Sequence, residues 1–263
     1  MTYRVLVTDL DGTLLNTQHV WSVRTQHAFE HAKQRGKLLT FATGRNYVSS
    51  LPMIQTLQPN APVILYNGSR IEEHQSRKIV YAQNLPREQA LKAFELNRRY
   101  HLLILMYIDD EIYVESLTPE VLQFMAEEHI PCQPVGDLAQ FLGDRDPIKL
   151  LLIGDPEKLT QYAHEYAPGN EAELVRSTTN FLEILAPGVS KGHALSYLAK
   201  YLGISVGEMI AVGDNPNDIE MIRDAGLGVA MQNAHPAVKQ VADLITDSND
   251  NDGVAKVIEQ YLL

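Results

Sequence analysis

Two hydrophobic rhythms alternate along the chain. Short apolar runs at 4–8, 37–42, 62–66, 208–212, 227–230 and 244–245 have the length and texture of buried strands. Amphipathic stretches at 22–35, 47–57, 191–202, 217–224, 235–242 and 253–262 have the spacing of helices, and Gly36 ends the first of them. Strands buried on both faces and separated by helices predict parallel pairing. The fold class expected is therefore α/β, with a Rossmann-like, doubly wound parallel sheet.

The rhythm changes in the middle of the chain. Apolar stretches at 102–108 and 111–115 flank Asp109-Asp110, which predicts an antiparallel hairpin. A helix at 120–128, a strand at 148–153, a helix at 156–166 and strands at 172–177 and 181–185 follow. This pattern predicts an α+β domain over 83–187, inserted into a core formed by 1–82 and 188–263.

Composition narrows the function classes. The 263 residues are 45% hydrophobic and 21% charged, the balance of a globular chain, and their number favours two domains. A formal net charge of −11 argues against nucleic acid or an anionic membrane as partner. The longest apolar runs are too short to span a bilayer, and the N-terminus lacks a secretory pattern. Cys132 is the single cysteine, so no intramolecular disulfide forms, and a cytoplasmic location is expected. Nine histidines occur without zinc-ligand spacing. Nothing in the sequence sets an oligomeric state.

Candidate chemistry clusters just after the predicted strands. Asp9 and Asp11 follow the first one, in "VLVTDLDGT". The segment resembles part of a calcium loop. With Gly12 in the glycine position, however, Val7 and Gln18 fall where that loop needs its first and last ligands. An Asx-turn explains one aspartate but not the pair. Both carboxylates at the carboxyl end of a central parallel strand fit the place where open α/β sheets bind ligands.

Thr43 and Gly44, in "FATGRN", stand between a strand and a helix, where N–H groups can meet a phosphate. Lys191 follows the cap Ser190 into a helix, a position unfavourable for a cation by about 0.3–1 kcal/mol unless an anion lies near. Asp214 and Asp218, in "VGDNPNDIEM", are four residues apart around a strand exit and should repel if uncompensated. Oxygen ligands without Cys or His suit Mg²⁺. Asn67-Gly68 carries a hairpin-turn signal and follows a core strand, so Arg45, Asn67 and Gly68 are candidates to line the crevice. A competing pattern is Gly188-Val189-Ser190-Lys191-Gly192, the nucleophile elbow of a serine esterase, with Asp214 and His235 following in order. It lacks an oxyanion segment and leaves Asp9, Asp11, Thr43 and Asp218 without a role.

Taken in order, D-x-D-G-T at 9–13, the Thr43 segment, Lys191 and G-D-N-x-N-D at 213–218 resemble the four motifs of haloacid-dehalogenase-superfamily phosphatases. "ATGR" at 42–45, "NG" at 67–68, "GVSKG" at 188–192 and the tail from Asn233 to Val254 are similar to the Cof-type branch (subfamily IIB, sugar-phosphatase-like). The likeness is weakest over 83–187, and the chain departs from many relatives at Gln232 and Ser69.

The resemblance implies a C2-type cap over 83–187 and Mg²⁺-dependent hydrolysis of small phosphorylated metabolites. Sugar phosphates, pyridoxal phosphate, flavin mononucleotide and nucleotides are the substrate classes expected. It implies Asp9 as nucleophile and Asp11 as general acid and base. Asp9, the Asp11 main-chain oxygen and Asp214 would hold the metal, with Asp218 close by or acting through water. Thr43, Gly44, Lys191 and Asn217 would bind phosphate. A phosphomutase of the same superfamily and a phospho-ligand-binding module without turnover are the alternatives.

Overall fold

The computed structural model describes residues 2–169 and 171–263. The chain forms two compact units, one of residues 1–45, 52–82 and 190–263, the other of 46–51 and 83–189.

The first unit begins with β1 (Val5–Thr8), α1 (Val23–Gln34), β2 (Leu38–Phe41), α2 (Tyr47–Leu57, whose first turns cluster with the second unit) and β3 (Val63–Leu65). Ser22 starts α1 by accepting the Thr25 N–H on its hydroxyl. A turn then leads into β4 (Arg70–Glu73) and β5 (Lys78–Ala82). The run 62–66 pairs antiparallel with β4 along one edge. Along its other edge it lies parallel to the main sheet, as expected, through the bridge of Ala42 with Ile64 and the hydrogen bond from the Thr40 hydroxyl to the Pro62 carbonyl at 2.7 Å. The Asn-Gly turn sends the chain straight back along β3 and so makes the antiparallel pair with β4.

The second unit carries α3 (Arg87–Tyr100), β6 (Leu103–Ile108), β7 (Glu111–Val114), α4 (Pro119–Glu128) and β8 (Cys132–Pro134). It continues with α5 (Leu138–Leu142), β9 (Lys149–Ile153), α6 (Pro156–Tyr166), β10 (Glu173–Thr178) and β11 (Phe181–Leu185). Its six strands lie in the order β10-β11-β9-β6-β7-β8, antiparallel except for β7 with β8. Ala90, Ala93, Leu159, Tyr162 and Tyr166 from α3 and α6 share one core with Ile104, Met106, Leu150, Leu152, Leu182 and Ile184 of the sheet. The Tyr162 hydroxyl donates to the Ala93 carbonyl at 2.8 Å, so the buried phenol keeps a partner. Gln83 donates to the carbonyl of Pro187 at 2.6 Å, which ties the two ends of the insertion together. Cys132 is buried, and desolvation pushes its thiol up to about 11, far from a reactive thiolate.

The chain returns to the first unit with α7 (Lys191–Leu202), β12 (Met209–Gly213), α8 (Ile219–Asp224) and β13 (Leu227–Ala230). It ends with α9 (Pro236–Val241), β14 (Leu244–Ile245) and α10 (Gly253–Tyr261). The main sheet is parallel, in the order β14-β13-β12-β1-β2. All residues of β1 and β12 are buried. Val5 and Val7 meet Met209, Ala211, Leu195 and Leu198 in one core. The chain leaves β1 toward β2 on one side, while β12 to β14 build the other. The switch point therefore lies between β1 and β12, the place where open α/β sheets bind ligands beyond the carboxyl ends of their strands.

Candidate active site

Register brings the acids together. Thr8 pairs with Val212, so Asp9 and Asp214 leave neighbouring strands within one residue of the same level. The Asp9 N–H donates to the Val212 carbonyl at 2.9 Å, which fixes the exit of β1. Asp9, Asp214 and Asp218 each offer a carboxylate oxygen within 4.8 Å of the others, and all three are buried.

One cation enters this cluster. Lys191 opens α7, is 1% exposed, and donates to Asp9 Oδ1 and Asp218 Oδ1, each at 2.6 Å. Its position against the helix dipole is explained by these two anions. Desolvation alone would lower its pKa, yet the Asp218 and Asp9 carboxylates outweigh burial and raise it. Three carboxylates still face one ammonium. Burial raises Asp9 well above the ordinary range, with Lys191 opposing and Asp218 and Asp214 adding to the shift. Burial likewise brings Asp214 to about 6, opposed by the hydrogen bond from Thr13 and reinforced by Asp218. The oxygen-only donor set and its excess negative charge fit a hard divalent cation.

Asp218 has both oxygens engaged inside the protein. Oδ1 takes Lys191, and Oδ2 accepts the N–H groups of Asp214 and Asn215, both at 3.0 Å. The short helix Pro216–Asp218, with Pro216 in its first turn, folds the loop so that its last residue reaches back to its first.

Asp11 lies apart from this cluster. Arg45 grips it with a fork, Nε to Oδ2 at 2.7 Å and Nη2 to Oδ1 at 2.5 Å. The two carboxylates of "DLD" thus receive different cations, Lys191 for Asp9 and Arg45 for Asp11. Between them the chain turns at Gly12, whose φ is +81°. A Cβ there would stand 2.6 Å from Asp214 Oδ2, so the position excludes a side chain on both counts. Thr13 then donates to Asp214 Oδ1 at 2.8 Å across 201 residues of sequence. This role of Thr13 has no local signal in the sequence, because its partner lies 201 residues away. Gly12→Ala is expected to displace the Asp214 carboxylate and reduce phosphatase turnover by about 10²-fold, the usual cost of a misplacement near 1 Å. Circular dichroism would show the fold retained, and steady-state kinetics on p-nitrophenyl phosphate would measure the loss.

Thr43 sits at the exit of β2, but its N–H is committed to the Ile64 carbonyl at 2.9 Å. The expectation that this N–H faces a phosphate is therefore corrected, because the bridge to β3 uses it. The Thr43 hydroxyl accepts the Arg45 N–H at 3.2 Å and retains its own proton as a donor. Gly44 lies against Asn67, and Gly68 passes the Ser190 carbonyl so closely that a Cβ would stand 2.3 Å from it. Asn217 donates to Asn67 Oδ1 at 2.9 Å.

Ser190 caps α7, accepting the His193 N–H, and donates to Glu220. His235 caps α9, with Nδ1 accepting the Ala237 N–H at 3.2 Å. Asp214 is held by Thr13, so the three residues of the elbow pattern form no triad.

A parallel α/β sheet, an inserted α+β unit, and carboxylates at the two strand exits of the switch point define one class of hydrolase. The profile of the haloacid dehalogenase-like hydrolase family matches residues 6–258, and the chain belongs to that family, in its Cof-type phosphatase branch. It is 33% identical over 276 residues to the pyridoxal phosphate phosphatase YbhA of Escherichia coli strain K12, covering all of both chains. A haloacid dehalogenase-like hydrolase from Bacteroides thetaiotaomicron superposes with a TM-score of 0.87 at 35% identity, over 98% of this chain and 99% of that one. A subclass IIB sugar phosphatase superposes with a TM-score of 0.85 at 25% identity, over 99% and 100% of the two chains. Among the described residues no helix is long and apolar enough to cross a membrane.

Proposed function

We propose that this phosphatase hydrolyses small phosphorylated metabolites with Mg²⁺, through an aspartyl-phosphate on Asp9. The observation that carries the reading is the buried cluster of Asp9, Asp214 and Asp218 around the single ammonium of Lys191. We assign catalysis to 1–82 and 188–263 and substrate selection to 83–187. The cytoplasm is the compartment that fits the lone buried cysteine.

In this mechanism Asp9 Oδ1 stays with Lys191, and Oδ2 forms the bond to phosphorus as the bond to the leaving oxygen breaks. Asp11 gives its proton to that oxygen and then takes one from the water that attacks the intermediate. The second displacement breaks the Asp9–phosphorus bond and releases inorganic phosphate. The Arg45 fork uses one lone pair on each Asp11 oxygen and leaves one on each for the proton. The Thr43 hydroxyl, the Gly44 N–H, Lys191 and Asn217 bind phosphoryl oxygens, where charge accumulates in the transition state. Asp9, Asp214 and the Asp11 main-chain carbonyl would hold Mg²⁺, which when bound supplies positive charge beside those oxygens. Asp218 positions Lys191 and the loop in this reading, rather than ligating the metal.

The test is a turnover panel of pyridoxal phosphate, sugar phosphates, flavin mononucleotide and nucleotides. EDTA is expected to abolish phosphate release, and added Mg²⁺ to restore it. Turnover that survives EDTA and Asp9→Asn but disappears in Ser190→Ala would establish the esterase instead. An isomeric product without free phosphate would establish a mutase, and binding without turnover would establish a binding module.

A further inference from the structure

The turn Tyr66–Gly68 joins two core strands, yet its backbone is unusual for so short a link. Tyr66 and Asn67 have φ of 52° and 56°, and Gly68 has 105°. Two successive non-glycine residues in the left-handed region are unfavourable, and such conformations persist only where surrounding contacts hold them. The contacts here reach three separate segments of the site.

The Tyr66 N–H donates to the Arg45 carbonyl at 3.0 Å, and the Asn67 N–H donates to the Thr43 carbonyl at 2.9 Å. The turn therefore fixes the loop that carries Thr43, Gly44 and Arg45. The Asn67 side chain is 2% exposed and lies over Gly44, whose absent Cβ would stand 3.1 Å from Nδ2 and 3.2 Å from Oδ1. Asn67 Oδ1 accepts Asn217 Nδ2 at 2.9 Å, across 150 residues of sequence. Gly68 then lets the turn abut the carbonyl of Ser190, the residue before Lys191.

We infer that Asn67 is a positioning residue of the phosphate site. Its amide clasps the Thr43–Gly44 loop to Asn217, and so sets the spacing of donors that converge on one phosphoryl group. The inference rests on the assignment of Thr43, Gly44, Lys191 and Asn217 to phosphate binding. Left-handed geometry at Asn67 is then retained because it puts backbone and side chain on different loops at once. An asparagine serves because it tolerates this geometry better than most side chains, while its side-chain carbonyl accepts the Asn217 amide.

Asn67→Gly separates this role from a purely structural one. Glycine adopts the same φ without strain, which offsets part of the loss of the buried Asn67–Asn217 hydrogen bond, so the variant should still fold, with circular dichroism and the melting temperature as the check. Competitive inhibition by inorganic phosphate, measured where both proteins are fully folded, should weaken about 10-fold, with a matching fall in kcat/KM. Asn217→Ala should produce a similar loss, and the double variant should lose no more than the larger single one, as expected for residues acting as a unit. Unchanged inhibition by phosphate in Asn67→Gly overturns the inference, and so do additive losses in the double variant. Asp9→Asn run alongside keeps the two readings apart. Full turnover in that variant defeats the aspartyl-phosphate mechanism, whereas an Asn67→Gly protein with unchanged phosphate inhibition and kcat/KM, beside an inactive Asp9→Asn, defeats the clasp alone.

Discussion

Asp9→Asn is expected to lower kcat for every phosphate ester by about 10⁴-fold or more, because the remaining groups still bind but no nucleophile is present. The variant should fold, since the amide oxygen can still accept Lys191 and the volume hardly changes. The metal-free variant is further expected to be at least as stable as the metal-free parent. Burial works against the Asp9 carboxylate, and Asp218 and Asp214 add like charge, so a neutral side chain removes an unfavourable term. Thermal melting in EDTA measures that sign, and single-turnover kinetics with Mg²⁺ measures the chemistry. An Asp9→Asn protein that keeps more than a few per cent of parental turnover would remove Asp9 from the nucleophile role.

The sequence revealed the site wherever local pattern and chemistry coincide. Asp9 and Asp214 are visible because each follows a short, largely apolar run, and the parallel register of β1 with β12 then brings them level. Lys191 is visible because a cation in a helix's first turn calls for an anion. Partnerships across the fold carry no such local signal. Thr13 meets Asp214 from 201 residues away, and Asn217 meets Asn67 from 150 residues away. The Arg45 fork on Asp11 likewise depends on how the loop after β2 returns toward β1.

Element identity followed the same division. The strands of the main sheet are apolar on both faces and read clearly. Helix α3 is faint because its buried residues are the small Ala90 and Ala93. Strand β8 contains Pro134 and lies at a sheet edge, where pairing on one side suffices. The turn at Asn67-Gly68 is legible as a reversal, but its three left-handed residues are explained only by the segments packed around it.

Asp218→Asn is the sharpest test of how the acidic cluster is built. The carboxylate serves three donors, with Lys191 on one oxygen and two main-chain N–H groups on the other. An asparagine can present its oxygen to one side only, so its NH₂ must face either the ammonium or the two N–H groups. Buried donors left unpaired cost about 1–3 kcal/mol. Lys191 keeps Asp9 as its anion, so the cost is that of the unpaired donors, and Asp218→Asn is expected to lower the unfolding free energy of the metal-free protein by about 1–3 kcal/mol. Turnover should fall at least 10²-fold, because Lys191 would lose its second anchor and shift against Asp9. Urea unfolding in EDTA decides between the two roles open to this residue. A ligand that acts only through the metal would leave metal-free stability unchanged and weaken Mg²⁺ activation alone. A positioning residue lowers stability with no metal present, and saturating Mg²⁺ would not restore the rate.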